Sequence, residues 1–172
     1  MKKRRIEAHL QRLYGYALSL TRDPHQAEDL VQECALKALS TRNTPRDEPA
    51  YRAWLFRILR NAFLDRMRHE KTAKSAVDDR NFVAEMEFWQ GDERFISVLT
   101  VKIEMAKLPQ PHREIIALID IAGLSYAEAA RCLGVPAGTV MSRISRARRA
   151  LLEAIGSSNV HALSVRKKTG MR

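Results

Sequence analysis

The chain has 172 residues, of which 45% are hydrophobic, and 30 Lys and Arg against 20 Asp and Glu give a formal charge of +10. That length suits one ordinary domain or two small ones, and that apolar share excludes wholesale disorder. So positive a charge points to a polyanionic partner, and the lack of any apolar run of about 18 residues excludes a membrane-spanning helix.

The charge is unevenly spread. Residues 1–70 carry 14 basic against 9 acidic side chains, 71–100 carry 4 against 6, and 101–172 carry 12 against 5. Two basic ends joined by an acidic strap suggest two nucleic-acid-facing modules and a connector that avoids or mimics nucleic acid. Seven Gly and six Pro, clustered at a few places, are few for an all-β chain, so the long stretches between them read as helix.

In chain order, the basic start Met1–Arg5 is followed by no apolar h-region, so a secretory signal is not expected and the cytoplasm is the expected address. Residues 6–20 place Ile6, Leu10, Leu13, Ala17 and Leu20 at helical spacing, with Tyr14 and Leu18 widening the stripe. Asp23 followed by Pro24 reads as the N-cap and first position of a second helix, whose apolar stripe is Ala27, Leu30, Val31, Cys34, Ala35 and Ala38. Its outer face carries Glu28, Asp29, Gln32, Glu33 and Lys37. Ser40 to Pro49 has loop composition, and helix resumes from Ala50 to about Arg68. Residues 70–94 lose periodicity; helix returns at Ile96, ends at Leu108–Pro109 and resumes over Pro111–Ala122. Cys34 and Cys132 each lie in an apolar helical pattern, so buried free thiols are expected, with a regulatory disulfide as the alternative.

The sharpest local signal runs from Ser125 to Leu152. Ser125-Tyr126-Ala127-Glu128 is a capping box, in which hydroxyl and carboxylate each satisfy an orphan amide of a helix start. Ala127, Ala129 and Ala130 keep that helix slim. Leu133-Gly134-Val135 supplies a short turn, Gly tolerating positive φ after a helix end, and Pro136 to Thr139 opens a basic helix. Helix, short Gly-containing turn and basic helix make a helix-turn-helix. At about 100° per residue, Val140, Ile144, Ala147 and Leu151 share one apolar arc, and Gly138, Ser142, Ser145, Arg146 and Arg149 lie opposite. Small residues there admit the helix to a major groove, where Arg146 could pair with a guanine edge; Arg143 and Arg148 on the flanks suit phosphates.

Residues 51–68 interleave cations with aromatics. Arg57, Arg60, Asn61 and Arg68 share a broad polar side near Tyr51, Trp54 and Phe56, the combination that single-stranded nucleic acid needs. Periodicity alone leaves Trp54 and Phe56 open between core packing and base stacking.

With those residues in view, the chain resembles the extracytoplasmic-function group of bacterial sigma factors. The resemblance runs through RDPHQAEDLVQECALKAL and YRAWLFRILRNAFLDRMR in the first half, and LPQPHREIIALIDIAGLSYAEAARCLGVPAGTVMSRISRARRALLEAI in the second. It implies an all-α fold of two small helical domains, residues 1–70 (region 2) and 96–157 (region 4). A flexible acidic linker at 71–95 would join them, and a disordered basic tail would occupy 158–172. It also implies an RNA polymerase subunit that directs the core enzyme to promoters, with activity answering a stress or signal. By the same resemblance Asp29, Gln32 and Glu33 would contact the clamp helices of the largest polymerase subunit, and the flap region would be a second contact. Trp54, Arg57, Arg60 and Asn61 would capture the −10 element as unpaired, flipped-out bases. Met141, Ser142, Ser145 and Arg146, flanked by Arg143 and Arg149, would read the −35 element as duplex; Met141 departs from relatives that carry Arg there. The linker acids Asp78, Asp79, Glu85 and Glu87 would either imitate nucleic acid near the active centre or belong to a simple tether. An anti-sigma factor is an expected partner, and the chain is expected to be a monomer outside its complexes.

No Gly-rich phosphate loop and no catalytic constellation appears, and the five His residues show no metal-ligand spacing with either Cys. Catalytic residues, metal and cofactor are therefore all expected to be none. The rival reading is a helix-turn-helix activator or repressor that is not a polymerase subunit; a recombinase carrying the motif is a further one. Against the first stands a basic, aromatic N-terminal half in place of a sensing or dimerisation module.

Overall fold

The computed structural model describes residues 2–72 and 93–157. Asp23 caps its helix as its place before Pro24 predicts: its carboxylate accepts from the backbone N–H of His25 at 2.8 Å and of Gln26 at 3.2 Å. Around that cap are α1 (Lys2–Glu7), α2 (Leu10–Thr21) and α3 (Pro24–Ser40). The single helix expected over 6–20 is therefore two. The break at Ala8–His9 has a distant cause: His9 Nε2 meets Glu48 Oε1 at 2.7 Å, while Arg5 reaches the same carboxylate at 2.9 Å. Arg5 also donates to the carbonyls of Pro45 and Arg46, and its guanidinium lies 3.9 Å from the centre of the Tyr51 ring. One arginine thus ties the 41–47 loop to the N-terminus.

The next helix, α4 (Glu48–Thr72), starts before Ala50 and extends past Arg68. Tyr51, Leu55, Phe56, Leu59, Ala62 and Phe63 are buried on it, spaced to face α2 and α3. Phe56 is wholly buried and Trp54 only partly, so Phe56 belongs to the core and only Trp54 keeps an open edge.

The second half comprises α5 (Glu93–Lys107), α6 (Gln110–Ile116), a π-helical turn (Ala117–Ile121), α7 (Tyr126–Leu133) and α8 (Ala137–Ser157). The helix expected over 111–122 thus changes pitch midway, with the Ala122 N–H donating to Ala117 O at 2.8 Å. No strand occurs among the described residues, in keeping with the all-α expectation. The expected 71–95 linker and 158–172 tail lie mostly or wholly outside the described residues, as do the linker acids.

The two halves share one apolar core, from Leu13 and Phe56 to Ile115, Leu118 and Val140. Helix α4 packs on α7, and α2 packs on α6 and the π turn. At Gly15 the approach is close enough that an added Cβ would stand 3.1 Å from Ile121 Cγ2.

Candidate nucleic-acid interface

The helix-turn-helix forms as its local chemistry dictates. Ser125 Oγ accepts from the Glu128 N–H at 3.3 Å, while Glu128 Oε2 accepts from the Ser125 N–H and hydroxyl, each at 2.7 Å. Gly134 takes φ +68° at the end of α7. On α8, Val140, Ile144 and Ala147 are buried, and Met141, Ser142, Arg143, Ser145, Arg146 and Arg149 are all exposed. Tyr126 and Leu152 flank this face, giving a shallow surface groove an apolar rim. Arg146 Nε rests on Ser142 O at 3.3 Å, a bond along its own helix.

Arg148 is placed otherwise than its position on the helix wheel suggests. Its guanidinium grips Asp120 of the π turn through Nη2 at 2.6 Å and Nε at 3.1 Å. That bond, ahead of the smaller opposing effect of burial, raises the basicity of Arg148. The residue braces α8 against the preceding turn and does not project as a phosphate contact.

On α4, Trp54 lies 5.5 Å from the Tyr51 ring, and Arg57 and Asn61 are exposed. Arg60 departs from this trio: its Nε donates to Glu114 Oε1 at 2.7 Å, across the seam between the halves. Burial alone would lower the Arg60 pKa, but the Glu114 carboxylate more than offsets it. Tyr16, fully buried, donates to the same Glu114 oxygen at 3.1 Å, and burial followed by the Glu114 charge pushes its phenol well above the ordinary range. Two residues before Trp54, Arg52 donates through Nε at 2.8 Å and Nη2 at 2.6 Å to Glu128 Oε1. Burial would lift the Glu128 pKa, but the Ser125 bonds and Arg52 hold it below the usual carboxylate range. Sequence reading finds Glu128 as a cap and misses its second partner, which lies 76 residues away.

On α3, Asp29 and Gln32 are exposed, while Glu33 accepts from Lys37 Nζ at 2.7 Å and Arg66 Nη2 at 3.1 Å. The Lys37 bond is the main cause of its depressed pKa. Leu36 shares this face at 69% exposure, with Leu39 beside it. The sequence holds that signal, since Leu36 falls one turn beyond Gln32 on the polar side of the wheel.

Cys34 and Cys132 are buried free thiols, both pushed by burial to about 12. Among the described residues no group of His, Cys, Asp and Glu could hold a metal ion, and no helix is long and apolar enough to cross a membrane.

Family models of sigma-70 region 2 and sigma-70 region 4 match residues 5–72 and 104–151. The sigma factor EcfG of Rhodopseudomonas palustris is 34% identical over 147 residues, covering 85% of this chain and 80% of its own. SigM of Mycobacterium tuberculosis is 33% identical over 152 residues, covering 88% and 75%. Among solved structures, the sigma factor RpoE in complex with the anti-sigma factor NepR from Bartonella quintana superposes with a TM-score of 0.69 at 30% identity, covering 91% of this chain and 97% of that one. CnrH, solved in complex with the cytosolic domain of CnrY, gives 0.63 at 26%, covering 91% and 88%. Both sigma regions in order, with relatives this similar over most of their length, make the chain a member of the extracytoplasmic-function RNA polymerase sigma factors.

Proposed function

We propose that the chain is a promoter-specificity subunit whose α8 reads duplex −35 DNA and whose α4 captures the unpaired −10 strand, with no chemistry of its own. The observation that carries this is the unbroken solvent-facing arc of Met141, Ser142, Ser145, Arg146 and Arg149, backed by the buried Val140, Ile144 and Ala147. A rigid helix with small polar residues and two cations on one face fits a major groove, and Arg143 on its flank suits a phosphate. On α4, Trp54 offers a stacking edge, and Arg57 and Asn61 offer charge and hydrogen bonds to a melted strand. Binding of a flipped base offsets its unpairing, so melting needs no nucleotide hydrolysis.

Asp29, Gln32 and Glu33 dock on the clamp helices, and the exposed Leu36 supplies apolar area at the centre of that contact. The flap region meets the C-terminal half. Glu33 must share or exchange its Lys37 and Arg66 partners there. An anti-sigma factor holds the chain when it is idle; the likeness to RpoE solved with NepR supports this. The protein acts in the cytoplasm, where the polymerase is. The test is transcription by core polymerase on a mixed promoter library with the purified chain added. Promoter-directed transcripts are expected; their absence, with tight duplex binding by the chain alone, would instead favour a free-standing repressor.

A further inference from the structure

Arg5 stands on α1, and its guanidinium is engaged by one short segment of chain 40 to 43 residues further on. Nε donates to Glu48 Oε2 at 2.9 Å, Nη1 to Pro45 O at 2.7 Å, and Nη2 to Arg46 O at 2.9 Å and Asp47 O at 3.3 Å. While its edge donates, the same group lies 3.9 Å from the centre of the Tyr51 ring, and that ring lies 5.5 Å from the ring of Trp54. One guanidinium therefore touches the loop backbone and the first residue of α4. Through one further ring it also reaches the aromatic edge proposed to stack on a melted base.

We propose that Arg5 is a positioning residue for strand capture: from outside α4 it fixes the Tyr51–Trp54 pair against residues 45–47, so that the stacking edge of Trp54 is in place before a base arrives. This rests on reading α4 as the strand-binding helix. The geometry argues for it in three ways. First, Arg5 has a rigid footing: the adjacent Ile6 is 3% exposed in the core, and His9, at the end of α1, meets the other oxygen of Glu48 at 2.7 Å. Second, residues 41–47 belong to no helix or strand, so side chains must order their backbone, and Arg5 gathers three consecutive carbonyls of that segment. Third, Tyr51 is itself 3% exposed, so it supports Trp54 from beneath and does not meet a base.

Stability alone does not account for the arrangement. The Glu48 side chain is 56% exposed, and ion pairs so open to solvent contribute little to folding. What the fork supplies is direction: a planar guanidinium fixes several acceptors at once, which an ammonium on a flexible stem does not. Nor is Arg5 placed as a phosphate contact, since its donors point at protein carbonyls and a carboxylate. A stacking edge already in place spares the strand the cost of ordering it, and a misplacement of about 1 Å can cost on the order of a hundredfold in rate.

The test uses the full chain assembled with core polymerase. Arg5→Lys keeps the charge and loses the fork, and Arg5→Gln loses both. Two quantities are read: the rate of strand opening, from a fluorescent base analogue in the −10 element, and the base preference at each −10 and −35 position in a promoter library. A preference is a ratio of rates on two templates, so it does not depend on how much of the chain is folded or assembled. Both variants should slow opening by about tenfold or more and flatten the −10 preference, with the −35 preference unchanged. Parent-like opening and −10 preference in Arg5→Lys would overturn the inference, even if Arg5→Gln fails, because charge without placement would then suffice. A loss of stability with both preferences kept would make Arg5 a residue of the fold alone, and a loss of both preferences together would mean general loosening; either outcome sinks the positioning role. Trp54→Ala separates this claim from the one beneath it. If it leaves opening and −10 preference intact, strand reading by α4 fails; if it abolishes opening while the Arg5 variants behave as the parent, only the positioning role fails.

Discussion

Arg146 and Arg148, two residues apart on α8, have opposite duties. Arg146 is exposed and held only by a weak 3.3 Å bond to its own helix, whereas Arg148 is committed to Asp120 by two bonds. Helical spacing places both near the DNA face, but it cannot show that an aspartate 28 residues earlier claims one of them. Arg146→Ala should therefore cost roughly 1–3 kcal/mol of base discrimination, read as a loss of selectivity at one −35 position in a promoter library. Arg148→Ala should act through stability and leave the preferred base unchanged. The cysteines give a second prediction at this scale. Thiols raised to about 12 carry almost no thiolate near neutrality, so Cys34→Ser and Cys132→Ser should leave any response to oxidant as it was. A lost response in either variant would revive the regulatory disulfide.

Among the elements, α7 and its turn were the most legible, because everything that makes them is local: Ser125, Glu128 and Gly134 lie within ten residues. Ser125→Ala should lower unfolding stability by about 1 kcal/mol, seen as a shifted urea midpoint with unchanged slope. The α3 start was legible for the same reason, through Asp23 and Pro24. The break between α1 and α2 was not, since its cause, Glu48, arrives from 39 residues away. Nor was the π turn, where Ile121 projects toward Gly15 and Asp120 toward Arg148; no residue pattern in 117–121 announces the change of pitch. Trp54 and Phe56 were ambiguous by periodicity, and packing against Tyr16, whose ring lies 5.4 Å from that of Phe56, assigns the latter to the core.

At the scale of the molecule, charge distribution disclosed two basic ends but not that they meet. The seam depends on pairs 54 and 76 residues apart, beyond the reach of any local rule. Stability also depends on acid, at the seam through Glu128 and within the N-terminal half through Glu33 and Glu48. The Glu33, Glu48 and Glu128 pKa values are held below the ordinary carboxylate value of 4.5, so the unfolded chain binds protons that the folded chain refuses. Their contribution is present above about pH 4.5 and is lost as pH falls through the lower folded values. Chemical denaturation between pH 7 and pH 3 should show stability falling on the acid side, and Glu128→Gln should flatten part of that slope. An unchanged slope in the variant would assign the acid sensitivity to other carboxylates.

Cys132 sits under α4, close enough to feel the charges of Glu114, Arg60 and Arg57, whereas Cys34 lies deep between α3 and α4, donating to Leu55 O. The molecule thus carries a built-in clock and its own control. Alkylation of Cys132 proceeds only during excursions that part the halves, and alkylation of Cys34 only when the N-terminal bundle itself loosens. The ratio of the two rates, followed by mass spectrometry on the unmodified chain, gives the frequency of seam opening without a dye, a label or a substitution.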